Sequence, residues 1–242
     1  LGTAVVKSFG DLEQSIGGSE AVFGQYAASI QKAGEEAYKN LGLSQNEYLE
    51  TANKMGALFQ GSGIEQRKSL ELTEKAMQRA ADVASVMGID MQQAMDSIAG
   101  AAKGNFAMMD NLGVAMNATT IEAYALEKGI NFKWNTATQA EKAEMAMQMF
   151  FERTEQYAGN FARESTETIA GSFGMLKASI KSLVAGLGNS EADIDNLSQN
   201  VVDSLSSVAT NIMPVIENLA KAFPKVVSSL IAELSKMLPK LI

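Results

Sequence analysis

The sequence predicts an all-α fold: a helical bundle of capped helices followed by a kinked, amphipathic helical tail. Three observations point there. Ala, Gln, Glu, Lys, Leu and Met dominate and Pro is scarce, at 3 of 242 residues, a composition that favours helix. Ser or Thr followed three places later by Asp or Glu recurs along the chain, the capping-box spacing that satisfies the orphan amides of a first helical turn. Apolar residues return every three or four positions, which places them on single helical faces.

In chain order, Phe23, Tyr26, Ala27, Ile30, Ala33 and Ala37 form a first stripe. Ser44–Glu47 caps a helix whose inner face is Tyr48, Ala52, Met55 and Phe59. Ser62–Glu65 is the next box, ahead of the stripe Ala76, Met77, Ala80, Val83, Ala84 and Met87; Asp90 with Gln93 is a near relative. Thr119–Glu122 and Thr138–Glu141 open two more helices, the second carrying Ala143, Met147, Phe150, Phe151 and Thr154. Ile130 to Trp134 is the one segment with strand character, with a plain loop as its alternative. Ile169, Phe173, Leu176, Ile180, Leu183 and Leu187 step 4, 3, 4, 3, 4. Gly42, Gly61, Gly88, Gly129 and Gly188 stand where these helices should stop.

A second region, 189–242, follows the helical domain 1–188. Ser190–Asp193 opens it. Val201, Leu205, Val208, Ile212, Val215 and Leu219 continue into Phe223, Val226, Leu230, Leu234, Met237 and Leu241, one sustained apolar face. Pro214, Pro224 and Pro239 each remove a helix hydrogen bond and crowd the preceding turn, so kinked or serial helices are expected rather than a straight coiled coil. Charge shifts as well, from a net −9 over residues 1–200 to +1 over 201–242. The longest uncharged apolar stretch, Ser204 to Ile216, has 13 residues, short of the ~20 a membrane-spanning helix needs. The chain opens on Leu1, as an excised or processed piece would.

Composition narrows the chemistry. The chain holds no His and no Cys. A Ser-His-Asp triad, a thiolate nucleophile, His or Cys metal ligation and disulfides all require those residues. A net charge of −8 argues against sequence-specific nucleic-acid binding, which relies on clustered Lys and Arg. Carboxylate pairs such as Glu35/Glu36 and Glu152/Glu155 lie among Lys, Gln and Ala, where a solvated helix face is expected rather than the split environments of an acid/base pair. Asp193-Ile-Asp195-Asn196 lacks the Gly and Glu of a calcium loop at Ser198 and Ser204. Gly61-Ser62-Gly63 has no Lys-Ser/Thr behind it and reads as a helix connector. No catalytic residue, cofactor or metal is predicted. Met145, Met147 and Met149 alternate, and Met87, Met91 and Met95 stand four apart; they read either as core filler or as a re-packable surface. Trp134 either anchors a partner or covers the bundle edge.

From Ala99 to Gly188 the residues are less generic. Gly104-Asn105-Phe106, then Met109-Asp110-Asn111-Leu112-Gly113, follow the helix of Ile89 to Ala94; Ile121 to Ile130 comes next, then the cap from Trp134 to Thr138, then Gly159-Asn160-Phe161-Ala162-Arg163, then Ile169 to Lys177 and Leu187-Gly188. This ordered series resembles the phage tail tape measure protein family, most clearly over 80–188 and more loosely over 35–80. Asn160 stands where that family often has Asp. The resemblance implies a structural role: a ruler inside the tail tube of a long-tailed phage, prophage or tail-like particle, setting tube length and taking part in tail assembly and genome ejection. It implies the tail tube protein, tail assembly chaperones and tail tip proteins as partners, and places the chain in the virion tail lumen and, during assembly, in the bacterial cytoplasm. The motif residues Gly104, Asn105, Phe106, Met109, Asp110, Asn111, Leu112, Gly113, Gly159, Phe161, Ala162 and Arg163 are expected to be structural. The tail face, including Val201, Leu205, Val208, Ile212, Leu219, Phe223, Leu230 and Leu234, is expected to meet a partner, a second copy, the bundle itself or a membrane. A membrane-active or pore-forming helical module without a ruler role is the alternative reading.

Overall fold

The computed structural model describes residues 2–222, and beyond them only 228, 229, 232, 233, 235 and 236. Phe223, Leu230 and Leu234 of the expected tail face, with Pro224 and Pro239, lie outside the described residues. The fold is all-α, and no strand occurs among the described residues. Its helices are α1 (Gly2–Phe23), α2 (Ala27–Glu35), α3 (Ala37–Asn40), α4 (Gln45–Gly61), α5 (Gln66–Met87), α6 (Met91–Ala102), α7 (Ala118–Glu127), α8 (Gln139–Arg153), α9 (Asn160–Glu167), α10 (Ile169–Gly186) and α11 (Ile194–Ala222). Single 3₁₀ turns occupy Gly24–Tyr26, Met109–Leu112 and Glu155–Tyr157. Ile130 to Trp134 is loop.

Two of the capping boxes form as spaced. In α4 the Glu47 amide donates to Ser44 Oγ while the Ser44 amide donates to Glu47 Oε2 at 2.9 Å. In α8 the same reciprocal pair joins Thr138 and Glu141, at 3.2 and 2.7 Å. Thr138→Ala leaves an α8 amide without its acceptor, and a loss of about 1 kcal/mol in urea unfolding is expected; an unchanged midpoint would show that water serves that amide equally well. Asp90 caps α6 through the Gln92 amide rather than pairing with Gln93.

Three boxes do not form. Ser62 closes α4, its hydroxyl turned back to the Leu58 carbonyl at 3.0 Å, and α5 starts behind Glu65 without a side-chain cap. Asn117 caps α7 two residues ahead of Thr119, in a box with Thr120, so Glu122 is free to accept the Trp134 amide across the loop at 2.7 Å. Asp193 is itself the cap of α11, accepting from the Asn196 amide at 2.9 Å. At α7 and α11 a better-placed short polar side chain, Asn117 or Asp193, reaches the orphan amides first, whereas Ser62 is engaged by the helix behind it. Of the expected glycine stops, Gly42, Gly88 and Gly129 are left-handed; Gly61 stays helical, with Gly63 turning in its place, and Gly188 keeps a negative φ.

The core sits among α2, α4, α5, α6, α7 and α8. Tyr48, Ala52, Met55 and Phe59 of α4, and Ala76, Met77, Ala80, Val83 and Ala84 of α5, are all buried. In α8, Met145, Met147 and Met149 are buried with Ala143, Phe150 and Phe151. Their alternation reflects a helix covered on more than one side, and the flexible thioethers fill those irregular gaps. The stripe from Phe23 to Ala37 does not lie on one helix: it is divided among the end of α1, a 3₁₀ turn, α2 and α3. Phe23, Ala27, Ile30 and Ala37 are still buried. The long α1 ahead of it has no such stripe and buries only Leu12, Ser19 and Phe23.

α10 turns the expected way round only in part. Ile169, Phe173 and Leu187 of its predicted stripe are exposed, by 38, 42 and 51%. Leu176 is buried, and Ile180 and Leu183 are half-buried. The inward face is instead Ser172, Met175, Ala178, Ser179, Ser182, Ala185 and Gly186. Small residues win because the neighbouring helices approach too closely for large ones: a Cβ on Gly186 would strike Leu197 of α11, and one on Gly171 would strike the backbone of α9.

α11 runs through Pro214 to Ala222 as one helix. Pro214 and Thr210, whose carbonyl lacks its usual donor, are both exposed, so water can take the missing bond. The first half of α11 packs on α10, burying Leu197, Val201 and Ser204. Asn211 then donates to the Thr166 and Thr168 carbonyls at the N-terminal end of α10, at 2.9 and 3.0 Å. Residues 212–222 continue beyond, about 16 Å of helix at ~1.5 Å per residue. At the opposite end of α10, Phe9 of α1 lies against Gly188.

Candidate functional site

The residues singled out by the motif series gather at two joints between helices, each spelled Gly-Asn-Phe-Ala. At the first, α6 ends and Gly104 turns with φ +85°; at the second, α9 begins and Gly159 turns with φ +78°. Only glycine takes that left-handed region without a Cβ penalty. Asparagine serves each joint differently. Asn105 Oδ1 accepts from the Ala107 amide at 3.2 Å, a local turn, whereas Asn160 Nδ2 reaches Ser85 Oγ of α5 at 2.8 Å. Both phenylalanines are half-buried against the core.

Around the first joint, Phe106 meets Trp134 edge to face at 5.4 Å, and Lys142 lies 5.2 Å over the indole. Trp134 therefore pins the Gly104 turn, its own loop and α8 together. Met109 and Leu112 are fully buried in the 3₁₀ turn, while Asp110 and Asn111 face outward. Gly113 closes the turn, its amide donating to the Asp110 carbonyl at 3.0 Å, with the Met87 methyl packed on it.

The second joint is built on α5. Asp82, 1% exposed, accepts the Gly159 amide at 3.0 Å on Oδ2 and the Phe161 amide at 3.1 Å on Oδ1. A carboxylate at a helix N-terminus, with two aimed amides, is a favourable electrostatic arrangement. Ser85 is hydrogen-bonded to Glu164, and Arg163 to Asn160. Phe161 lies over Gly42, where a Cβ would come within 2.8 Å of its ring. The Ala162 carbonyl accepts Ser165 Oγ, which also donates to the Lys39 carbonyl at 2.9 Å.

One turn before Asp82, Arg79 is 6% exposed. Its guanidinium donates to the Phe151 carbonyl at 2.6 Å, to Thr154 Oγ1 at 3.0 Å and to Glu155 at 2.7 Å. That contact holds the exposed Glu155 carboxyl below its ordinary range. Sequence reasoning did not single out Arg79, Asp82 or Ser85. The available signal was two charges, i and i+3, inside the apolar run from Ala76 to Met87.

Of the carboxylate pairs, Glu152 and Glu155 each hold a cation of their own, Lys128 and Arg79. Glu152 holds Lys128 at 2.5 Å and accepts from Tyr124 Oη at 3.0 Å. Burial, then the neighbouring Glu152, pushes the Tyr124 phenol up to about 12. Glu35 and Glu36 are exposed. A shallow cleft between α4 and α6 is lined by Leu43, Glu50, Lys54, Asp90, Met91 and Met95. Among the described residues no group of three or more acids could hold a metal ion.

On α11, Val201 is buried, Leu205, Val208, Ile212 and Leu219 are half-buried, and Val202, Met213 and Val215 are exposed. No described helix is long and apolar enough to cross a membrane. Compared with known protein families, with curated proteins and with solved structures, the chain matches none of them.

Proposed function

We propose that this chain is a structural segment of a tail tape measure protein of a long-tailed phage, prophage or tail-like particle. The observation that carries the reading is the ordered motif series, whose two Gly-Asn-Phe segments stand at joints between helices, Gly104-Asn105-Phe106 behind α6 and Gly159-Asn160-Phe161 ahead of α9. Joint residues set how successive helices follow one another, which is what a serial scaffold requires. The path of the chain supports the same reading. α1 meets the C-terminal end of α10 through Phe9 and Gly188, and α11 leaves past its N-terminal end at Asn211. Those ends are about 27 Å apart for an 18-residue helix.

In this role the segment takes part in tail assembly and genome ejection. It works with tail tube protein, assembly chaperones and tail tip proteins, and the part of α11 beyond Asn211 is the surface on which a partner or a second copy would seat. The membrane-active alternative needs the apolar face of α11 free, and from Leu197 to Ser204 that face is buried on α10.

The test is genetic. In a phage or tail-like particle carrying this segment, in-frame deletions spanning it and the flanking helical region should shorten the assembled tail by about 1.5 Å per residue removed. Tails of unchanged length by electron microscopy would refute a ruling role.

A further inference from the structure

We infer that residues 159–222, helices α9, α10 and α11, form an arm that docks on the α1–α8 body through a seam of hydrogen bonds and swings open as a unit about Ala158–Gly159 before the body unfolds. The arm adds little to the apolar core. The continuous core takes only Ala185 from it, with Phe161 half-buried alongside. Tyr38 with Met175 and Ala178 makes a separate small patch, and Phe9 rests on Gly188. Leu197, also buried, lies on Gly186 within the arm and travels with it.

Beyond these contacts, what holds the arm is polar. Asp82 accepts the Gly159 and Phe161 amides. Asn160 donates to Ser85, and Ser165 to the Lys39 carbonyl. The Gln45 amide donates to Ser182 Oγ at 3.1 Å, and Lys181 pairs with Glu47. Burial would raise the Glu47 carboxyl; the bonds from Lys181 and Ser44 outweigh it and hold it low. Tyr38 Oη donates to Asn200 at 3.0 Å.

Opening along such a seam exchanges each of these bonds for one to water, so little is lost per bond. Parting α5 from α8 would instead expose Met77, Met147 and Phe150, for which water offers nothing in return. Low-energy opening therefore falls on the seam. At its pivot Ala158 is extended, with φ −54° and ψ 129°, and Gly159 is left-handed, a break between the turn Glu155–Tyr157 and α9.

Hydrogen exchange on the full chain, read by mass spectrometry under native conditions, tests this. Amides of α9 to α11 should exchange through a common opening about 100-fold faster than those of α8. Asp82→Asn keeps one acceptor but turns an NH₂ toward the second amide; exchange of α9 to α11 should rise a further ~10-fold with α8 unchanged. The converse variant is Glu47→Cys with Lys181→Cys, a pair that meets across the seam away from the pivot, joined by a short bis-maleimide that alkylates both thiols, in a chain with no cysteine of its own. It should slow exchange in α9 to α11 and leave α8 alone, and it decides the matter even where Asp82→Asn does not fold. One common rate for α8 and α9–α11, or a crosslink that slows both equally, overturns the proposal.

Discussion

Gly171→Ala is expected to destabilise the protein by about 3 kcal/mol, the upper part of the range for overpacking a tight contact. A Cβ at this position would stand 2.7 Å from the carbonyl carbon of Glu164 and 2.8 Å from Cα of Ser165. Both are backbone atoms of α9, so no rotamer change relieves the clash; α9 and α10 must part. Gly174, three residues on in the same helix, has nothing within 4 Å of its Cβ direction. Gly174→Ala should be neutral or stabilising by roughly 0.5–1 kcal/mol, since alanine loses less backbone entropy in a helix. Urea midpoints of the two variants decide it, and equal effects would mean that the α9–α10 elbow is looser than its packing implies.

Arg79→Met is expected to cost about 2–3 kcal/mol, although methionine is a good helix former of similar length. The loss is not chiefly the ion pair. Glu155 is 70% exposed at its side chain and can return to water, where such contacts contribute little. The cost arises at the Phe151 carbonyl and the Thr154 hydroxyl, the latter on a residue with no exposure at all. Without the guanidinium the carbonyl loses a charged donor inside the fold. Glu155→Gln, which breaks the ion pair alone, is expected to change the urea midpoint little. If the two variants behave alike, the ion pair and not the buried bonds holds the end of α8 to α5.

Helices were legible wherever cap and stripe agreed. Ser44 and Thr138 stand directly ahead of clean apolar faces, and both boxes form with those faces buried. Where the two signals were separate, the reading slipped by a few residues. Asn117 outcompetes Thr119, and Ser62 serves the end of one helix rather than the start of the next. The joints were legible as motifs but not as chemistry. Gly159, Asn160 and Phe161 stood out, while their partner Asp82 lies 77 residues earlier in the chain, beyond any local pattern.

Composition, caps and apolar spacing by themselves determined that the chain is helical, roughly where most helices begin, and which faces of α4, α5 and α8 turn inward. Those are local properties: a side chain reaches the amides of its own first turn, and a helix repeats every 3.6 residues. Which face α10 buries, where the charges of Arg79 and Asp82 end, and that α11 lies back along α10 as far as Asn211 were decided only in three dimensions. How closely two helices approach, and which distant backbone groups are left wanting a partner, depend on neighbours brought together by the fold.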